Sequence, residues 1–295
     1  MKNILLTGGS GFIGKNIRES FLAEKYNIIA PRHTELELVD DDAVNRFFSK
    51  HTIDVVIHSA VKPGHRNAKD ISNLFYADCR MFFNIVQNAG SFGKLIVLGS
   101  GSVYDMARHD LRKVDEDFLG TSIPVDEHGF YRYVSAKFIG RMQNALELRI
   151  FSIFGKYEDY AIRFISNMIC KAVFDLPLTM KQNRLFDFLY IDDLMPILDY
   201  FISHDGKFTS YNVTPDSAIE LYKAAEKVRE ISGKDLPIVV GKPGTGPAYS
   251  GSNARLRSEI PELKLTNIDD AIGSLYQWYS DNKHTISKEL LLVDK

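Results

Sequence analysis

Ile4-Leu5-Leu6-Thr7-Gly8-Gly9-Ser10-Gly11-Phe12-Ile13-Gly14 is an apolar run that breaks into glycines and then resumes as a helical pattern. It reads as strand, tight turn and helix. Gly8, Gly11 and Gly14 let the backbone turn sharply, approach a pyrophosphate closely and seat the helix on the strand. A helix opening at Phe12 aims its free N–H groups and the positive end of its dipole at that phosphate, with Ser10 and Ile13 beside it. Glycines at this spacing also occur in ordinary turns. Here they open an alternating strand and helix pattern, the context that a dinucleotide fingerprint requires.

Working outward, Tyr26 to Ala30 reads as a second strand that runs into Pro31-Arg32-His33. An acidic residue at this strand end would accept hydrogen bonds from the adenosine ribose, whereas an arginine accommodates a 2′-phosphate. No Asp or Glu stands there, while Arg32 and His33 do, so NADP(H) is favoured over NAD(H). A solvated loop role for Arg32 stays open. Asp41 to Ser49 places Ala43, Val44, Phe47 and Phe48 at helical spacing. Asp54 to Ala60 is a short apolar strand closing on Ser59 and Ala60, small enough for a dinucleotide to pass close by. His58 reads as a structural histidine.

Ile71 to Ala89 has a helical pattern, and Lys94 to Leu98 is another buried strand, followed by Gly99-Ser100-Gly101-Ser102-Val103-Tyr104. In open parallel sheets ligands sit outside the carboxyl ends of the strands, which is where these hydroxyls fall. Surface turns also favour Ser and Gly. A loop from Asp105 to about His128 leads to Phe130-Tyr131-Arg132-Tyr133-Val134-Ser135-Ala136-Lys137. Tyr133 and Lys137, four apart, lie on one face of a helix. A cation about 4 Å from a phenolate contributes about 4 kcal/mol at an effective dielectric near 20. At roughly 1.4 kcal/mol per unit, that moves a tyrosine pKa from about 10 towards 7, less what desolvation returns. Such a tyrosine passes a proton near neutral pH. In isolation the pair reads as a structural one.

Together the glycine fingerprint, the serine at a strand end and the Tyr133/Lys137 pair resemble the extended short-chain dehydrogenase/reductases, the NAD-dependent epimerase/dehydratase branch acting on nucleotide sugars. The resemblance covers nearly the whole chain. It includes Arg149 to Gly155 as a sixth strand, Phe186 to Leu194 as a later strand and helix signature, and Tyr211-Asn212-Val213 as a seventh strand. It implies an α/β fold, a Rossmann-type doubly wound parallel sheet with a smaller C-terminal α/β substrate lobe. Residues 1–155, with 190–214 returning, would form the dinucleotide-binding domain, and 156–189 with 215–295 the substrate lobe. Within that lobe, 160–174, 217–232 and 268–279 read as helices, and Gly241 to Pro247 as a loop by its Gly and Pro content.

The resemblance assigns Tyr133 as acid or base on a sugar oxygen, Ser100 as hydrogen-bond donor to that oxygen, and Lys137 as partner of the nicotinamide ribose. It adds Leu38, Phe151 and Ile153 to the cofactor contacts. Sugar 4,6-dehydratases carry an acid and a base just after the active-site hydroxyl, where this chain has Gly101 and Ser102, so dehydration is disfavoured. The Glu35 to Leu38 run, the Arg32 position and the phrase from Leu98 to Tyr104 are most similar to GDP-L-fucose synthases and related 4-keto-6-deoxysugar reductases. The expectation is NADPH-dependent reduction of a nucleotide 4-keto-6-deoxysugar at C4. The cysteine that serves epimerisation in fucose synthases falls at Ser102, and the histidine region falls near Tyr160 without a histidine. A serine is far less acidic than a thiol, so the reading is a reductase whose epimerisation is lost or reassigned, with Ser102 as a further candidate. Lys62, Arg163 and Arg184, with Asn167 and Arg255, are candidate substrate contacts, since a pyrophosphate attracts cations with several donors. The alternatives are a 4-epimerase that retains NAD(H) and a non-catalytic dinucleotide-binding sensor.

A length of 295 residues allows a large core without staples. Cys79 and Cys170 have no metal or disulfide spacing, so no metal is expected. A formal charge of −2 offers nothing to nucleic acid or an acidic membrane. No apolar run reaches about 18 residues and no leader pattern precedes the first strand, which reads as a cytoplasmic protein. The partner expected is a nucleotide-diphosphate sugar. The resemblance further implies a homodimer through paired helices near Ile71–Ala89 and Ser135–Leu146.

Overall fold

The computed structural model describes residues 1–65 and 67–293. Six strands form one sheet: β1 (Asn3–Thr7), β2 (Asn27–Ile29), β3 (Ile53–His58), β4 (Phe92–Ser100), β5 (Ala145–Ile150) and β6 (Ser210–Val213). Their order is β6-β5-β4-β3-β1-β2 and every pairing is parallel. The chain leaves β1 towards β2 on one side and returns to β3 on the other. The crevice between the carboxyl ends of β1 and β3 is therefore the topological switch point, where ligands bind in open α/β sheets.

Side-chain alternation explains the layering. Ile4 and Leu6 of β1 and Ile96 and Leu98 of β4 face one hydrophobic cluster, whereas Leu5, Leu95 and Val97 face another. On the first face Ile17 of the Phe12–Glu19 helix packs. On the second pack the helices Asp41–Lys50, Leu74–Gln87 and Glu127–Ile139, through Val44, Phe48, Phe82, Ile85, Tyr131 and Ile139. Capping follows the sequence: Ala43 N–H donates to Asp40 Oδ1 (3.1 Å) and Gly129 N–H to Asp126 Oδ1 (2.8 Å).

After β5 the helices Phe164–Val173, Leu221–Ser232 and Ile268–Asp281 pack on one another. A second sheet has the strand order Ile219–Glu220, Leu185–Phe186, Tyr249–Gly251, Leu111–Val114. It joins the segment following β4 to strands from the C-terminal half.

Several boundaries differ from the sequence reading, among them the helix expected from Ile71 to Ala89, which runs from Leu74 to Gln87. The helix expected from Tyr160 starts at Phe164, because Asp159 first closes a turn: its carbonyl accepts from the N–H groups of Ile162 and Arg163. The helix expected from Ser217 starts at Leu221, since Ile219–Glu220 pairs antiparallel with Leu185–Phe186. The loop expected at Gly241 to Pro247 is mostly strand: Ile238–Thr245 pairs parallel with Leu178–Asn183, at an exposed edge where proline is tolerated. The Ser135–Leu146 helix ends at Ile139, and Leu146 lies buried in β5. Both cysteines are free thiols.

Candidate active site

The glycine turn has the form a pyrophosphate needs. Gly8 has φ +72°, and a Cβ there would stand 2.8 Å from Ala60 N. At Gly14 a Cβ would stand 2.2 Å from Gly8 O. Gly11 caps the Phe12–Glu19 helix without a side-chain cap and donates its N–H to Gly8 O (3.0 Å). Helix N–H groups are thus left for an incoming anion. Ser10 is exposed on this turn, Phe12 and Ile13 are half-buried beside it, and Ser59 and Ala60 close the opposite wall. The residues present fit a dinucleotide.

His58 is structural: its Nδ1 lies 2.9 Å from Thr7 Oγ1, and burial, with Arg132 nearby, pushes its pKa down to about 3. At the β2 end Arg32 is exposed and its guanidinium meets Glu35 at 2.8 Å, while His33 meets Glu37 at 3.0 Å. Both pairs are solvent-facing and weak enough to be exchanged for a phosphate. Leu38 is buried in the second core cluster and presents its carbonyl to Asn84 Nδ2 (2.9 Å).

Ser100 ends β4, and its Oγ accepts from Ser102 N–H (3.2 Å). Below this turn, buried Arg149 holds Glu147 (2.8 Å) and the Tyr104 hydroxyl (2.7 Å), which in turn donates to Asn212 Oδ1 (2.7 Å). Phe151 fills the space between Gly101 and Gly251, where Cβ atoms would stand 2.7 and 2.5 Å from its ring. Its side chain belongs to a core cluster with Val103, Tyr104, Ala136 and Tyr249. Ile153 is half-buried in a short strand beside Leu189. Ser102 is buried, and its Oγ has no hydrogen-bond partner among the described residues.

Tyr133 and Lys137 share the Glu127–Ile139 helix, with Lys137 Nζ 5.5 Å from the Tyr133 ring centre. Tyr133 packs on the Phe151 cluster. Lys137 also borders a cavity of about 440 Å³ shared with Arg141, Arg149, Ser210 and Arg255.

The candidate substrate contacts separate. Exposed Arg163 stands at the N-cap position of its helix without a side-chain cap and lies near enough to His128 and Tyr249 to lower the pKa of each. Lys62 is held by Asp70 (2.6 Å) and Ser72 O (2.7 Å). Arg184 Nε donates to Pro247 O (2.7 Å) and its guanidinium lies over Phe186. Arg255 pairs with Asp117 and Glu116 beside the 440 Å³ cavity. Asn167 is buried and donates to Tyr160 O (3.0 Å), bracing the turn before its helix.

Residues 4–214 match the model for the NAD dependent epimerase/dehydratase family. The chain belongs to this family. Among its relatives, GDP-L-colitose synthase of Yersinia pseudotuberculosis is 24% identical, the match covering 95% of this chain and 99% of the relative. A GDP-L-fucose synthetase from Naegleria fowleri bound to NADP superposes with a TM-score of 0.81 at 18% identity, covering 97% of this chain and 96% of that one. GDP-mannoheptose C4 reductase from Campylobacter jejuni with NADP gives 0.78 at 20% identity, over 94% and 98%. Both likenesses show the epimerase/dehydratase fold extending through the C-terminal half.

Three residues escaped the sequence reading. Tyr249, from the C-terminal half, lies near enough to Ser100 to feel it, and burial pushes its pKa up to about 12. Arg132 is buried and donates from Nη1 to Leu98 O (2.9 Å). Asp187 is buried, accepts from Gly251 N–H (2.7 Å) and Ser250 O–H (3.3 Å), and is pushed by burial to a pKa of about 7 against the opposing charge of Lys113. Arg132 had a signal, being 100° from Tyr133 on the same helix. Tyr249 had none, because only strand pairing brings it near Ser100.

Proposed function

We propose that this chain is an NADPH-dependent reductase of a nucleotide-linked 4-keto-6-deoxysugar. The observation carrying the reading is the position of Ser100 at the carboxyl end of β4, two strands from the glycine turn, with the Tyr133 helix packed beside it. Family membership, and relatives and structural neighbours named as GDP-sugar synthases and a C4 reductase, support it. The β1–β3 crevice would hold the cofactor, with Arg32 and His33 at the adenosine end. A nicotinamide bound there supplies the hydride that the ketone carbon accepts. Ser100 O–H orients the ketone oxygen and Tyr133 O–H delivers the proton to it, leaving a tyrosinate that solvent reprotonates. Lys137 stabilises that tyrosinate by its charge. Arg163 faces the same site and takes the sugar or its diphosphate. Ser102, with a hydroxyl in place of a thiol, leaves the carbons beside the ketone unepimerised. The active form is a homodimer paired through Leu74–Gln87 and Glu127–Ile139, which carry exposed Tyr76, Phe130 and Phe138.

The test is NADPH absorbance with a panel of GDP-, dTDP-, CDP- and UDP-linked 4-keto-6-deoxysugars. Stoichiometric loss with one sugar, abolished by Tyr133→Phe, is the expected result. No oxidation, together with NAD(H) that copurifies, would move the assignment to a 4-epimerase.

A further inference from the structure

The cavity of about 440 Å³ lies between the Glu127–Ile139 helix, the start of β6 and the turn Glu116–Phe118. Its volume is in the range of small-molecule sites. It is separate from the cofactor crevice. Ser210 opens β6, so the cavity stands beside the amino end of that edge strand, whereas the glycine turn and Ser100 lie at the carboxyl ends of β1 and β4.

Lys137, Arg141, Arg149 and Arg255 border it, against the carboxylates of Glu116 and Asp117. Two of these cations are already neutralised. Buried Arg149 spends Nε on Glu147 (2.8 Å) and Nη1 on the Tyr104 hydroxyl (2.7 Å), and Arg255 is held by Glu116 (3.5 Å) and Asp117. Lys137 and Arg141 are different. Both are exposed, and neither side chain has a hydrogen bond or an ion pair among the described residues. Lys137 alone would suit the negative end of its helix. A second bare cation four residues on repels it, and an anion between the two turns that repulsion into attraction. Thr209 and Ser210 bring hydroxyls to the same cavity. Ammonium, guanidinium and hydroxyl donors around one space suit an anion with many acceptor oxygens.

We propose that this cavity is a second binding site, for a small phosphate or diphosphate anion held by Lys137 and Arg141, with Arg255, Thr209 and Ser210 closing its wall. Binding itself does not depend on the reductase reading. Its consequence rests on that reading: a bound anion takes up the Lys137 charge otherwise available to the Tyr133 tyrosinate, and turnover slows. Arg149 supplies a further connection, since it borders the cavity and holds Tyr104 on the turn that follows Ser100.

The experiment is a calorimetric titration of the full chain with sodium pyrophosphate at low ionic strength, followed by a kinetic arm. A binding component is expected that weakens about 10-fold or more in Arg141→Gln. It should vanish in Arg141→Glu, which gives Lys137 a carboxylate of its own, and persist in Gly14→Ala, which disturbs the glycine turn. The melting temperature of Arg141→Gln should match wild type, because Arg141 has no partner to lose. No binding, or only binding that survives Arg141→Glu, overturns the inference; pyrophosphate seated at the glycine turn would show that second pattern and fail in Gly14→Ala. In the NADPH assay at saturating cofactor, pyrophosphate is expected to lower kcat of the wild type and to leave that of Arg141→Glu unmoved. Equal inhibition of both overturns the link to Lys137. A wild-type protein inactive on every sugar overturns the reductase reading and the kinetic consequence with it, while the titration still decides the site.

Discussion

Asp187 makes stability depend on pH in a direction opposite to that of a salt-bridged carboxylate. It is 1% exposed, and burial holds its pKa at about 7 even with Lys113 nearby and with hydrogen bonds from Gly251 and Ser250. In the unfolded chain an aspartate titrates near 3.9. The folded pKa is the higher one, so the folded state binds the extra proton and stability falls as pH rises from about 4 through 7. Three units at 1.36 kcal/mol each make the full cost about 4 kcal/mol above pH 7, of which about 1.5 kcal/mol is present at pH 5. Asp187→Asn keeps the shape, with its carbonyl accepting from Gly251 N–H and its amide donating to Ser250 Oγ, and it does not titrate. Relative to wild type, the variant should gain about 2 to 3 kcal/mol between pH 5 and pH 8. Urea unfolding at pH 5, 6, 7 and 8 measures this directly. Parallel pH profiles for the two proteins would refute the argument.

Other substitutions follow from contacts. Gly14→Ala drives a methyl to within 2.2 Å of Gly8 O, and overpacking of about 1–3 kcal/mol should weaken NADPH binding by about 10- to 100-fold in a fluorescence titration. Phe151→Ala removes the ring wedged against Gly101 and Gly251 and should cost about 3–5 kcal/mol, read as a lowered melting temperature. Tyr133→Phe should reduce kcat by at least about 100-fold, with the substrate KM little changed, because the proton donor alone is lost. Phe138→Glu, on a residue that is 39% exposed and stacks edge-on against Phe83, should shift the light-scattering mass towards a monomer.

Local features were the legible ones. The glycine turn, the strand ending in Ser100 and the Tyr133–Lys137 helix depend on residues close together in the chain, so periodicity and turn chemistry exposed them. Ile238–Thr245 was misread because its glycines and proline spoke for a loop, while a parallel partner 60 residues earlier made it an edge strand. The same long-range pairing concealed Tyr249, which comes near Ser100 only when Leu111 and Phe186 take up its flanks. Charge alone singled out Lys62, Arg184 and Arg255. Each resembled a phosphate ligand in the sequence, and each is engaged by a neighbouring carboxylate or carbonyl in the fold. Among the described residues the Arg163 side chain has no such partner, and it lies near Tyr249 and His128.

The central claim is net reduction at the sugar C4. NADPH carrying deuterium at the transferring nicotinamide position, incubated with the turned-over 4-keto-6-deoxysugar, tests it by mass spectrometry and NMR of the product. The account predicts one deuterium at C4 for each NADPH consumed. An epimerised product without deuterium, formed with no loss of NADPH, would contradict it.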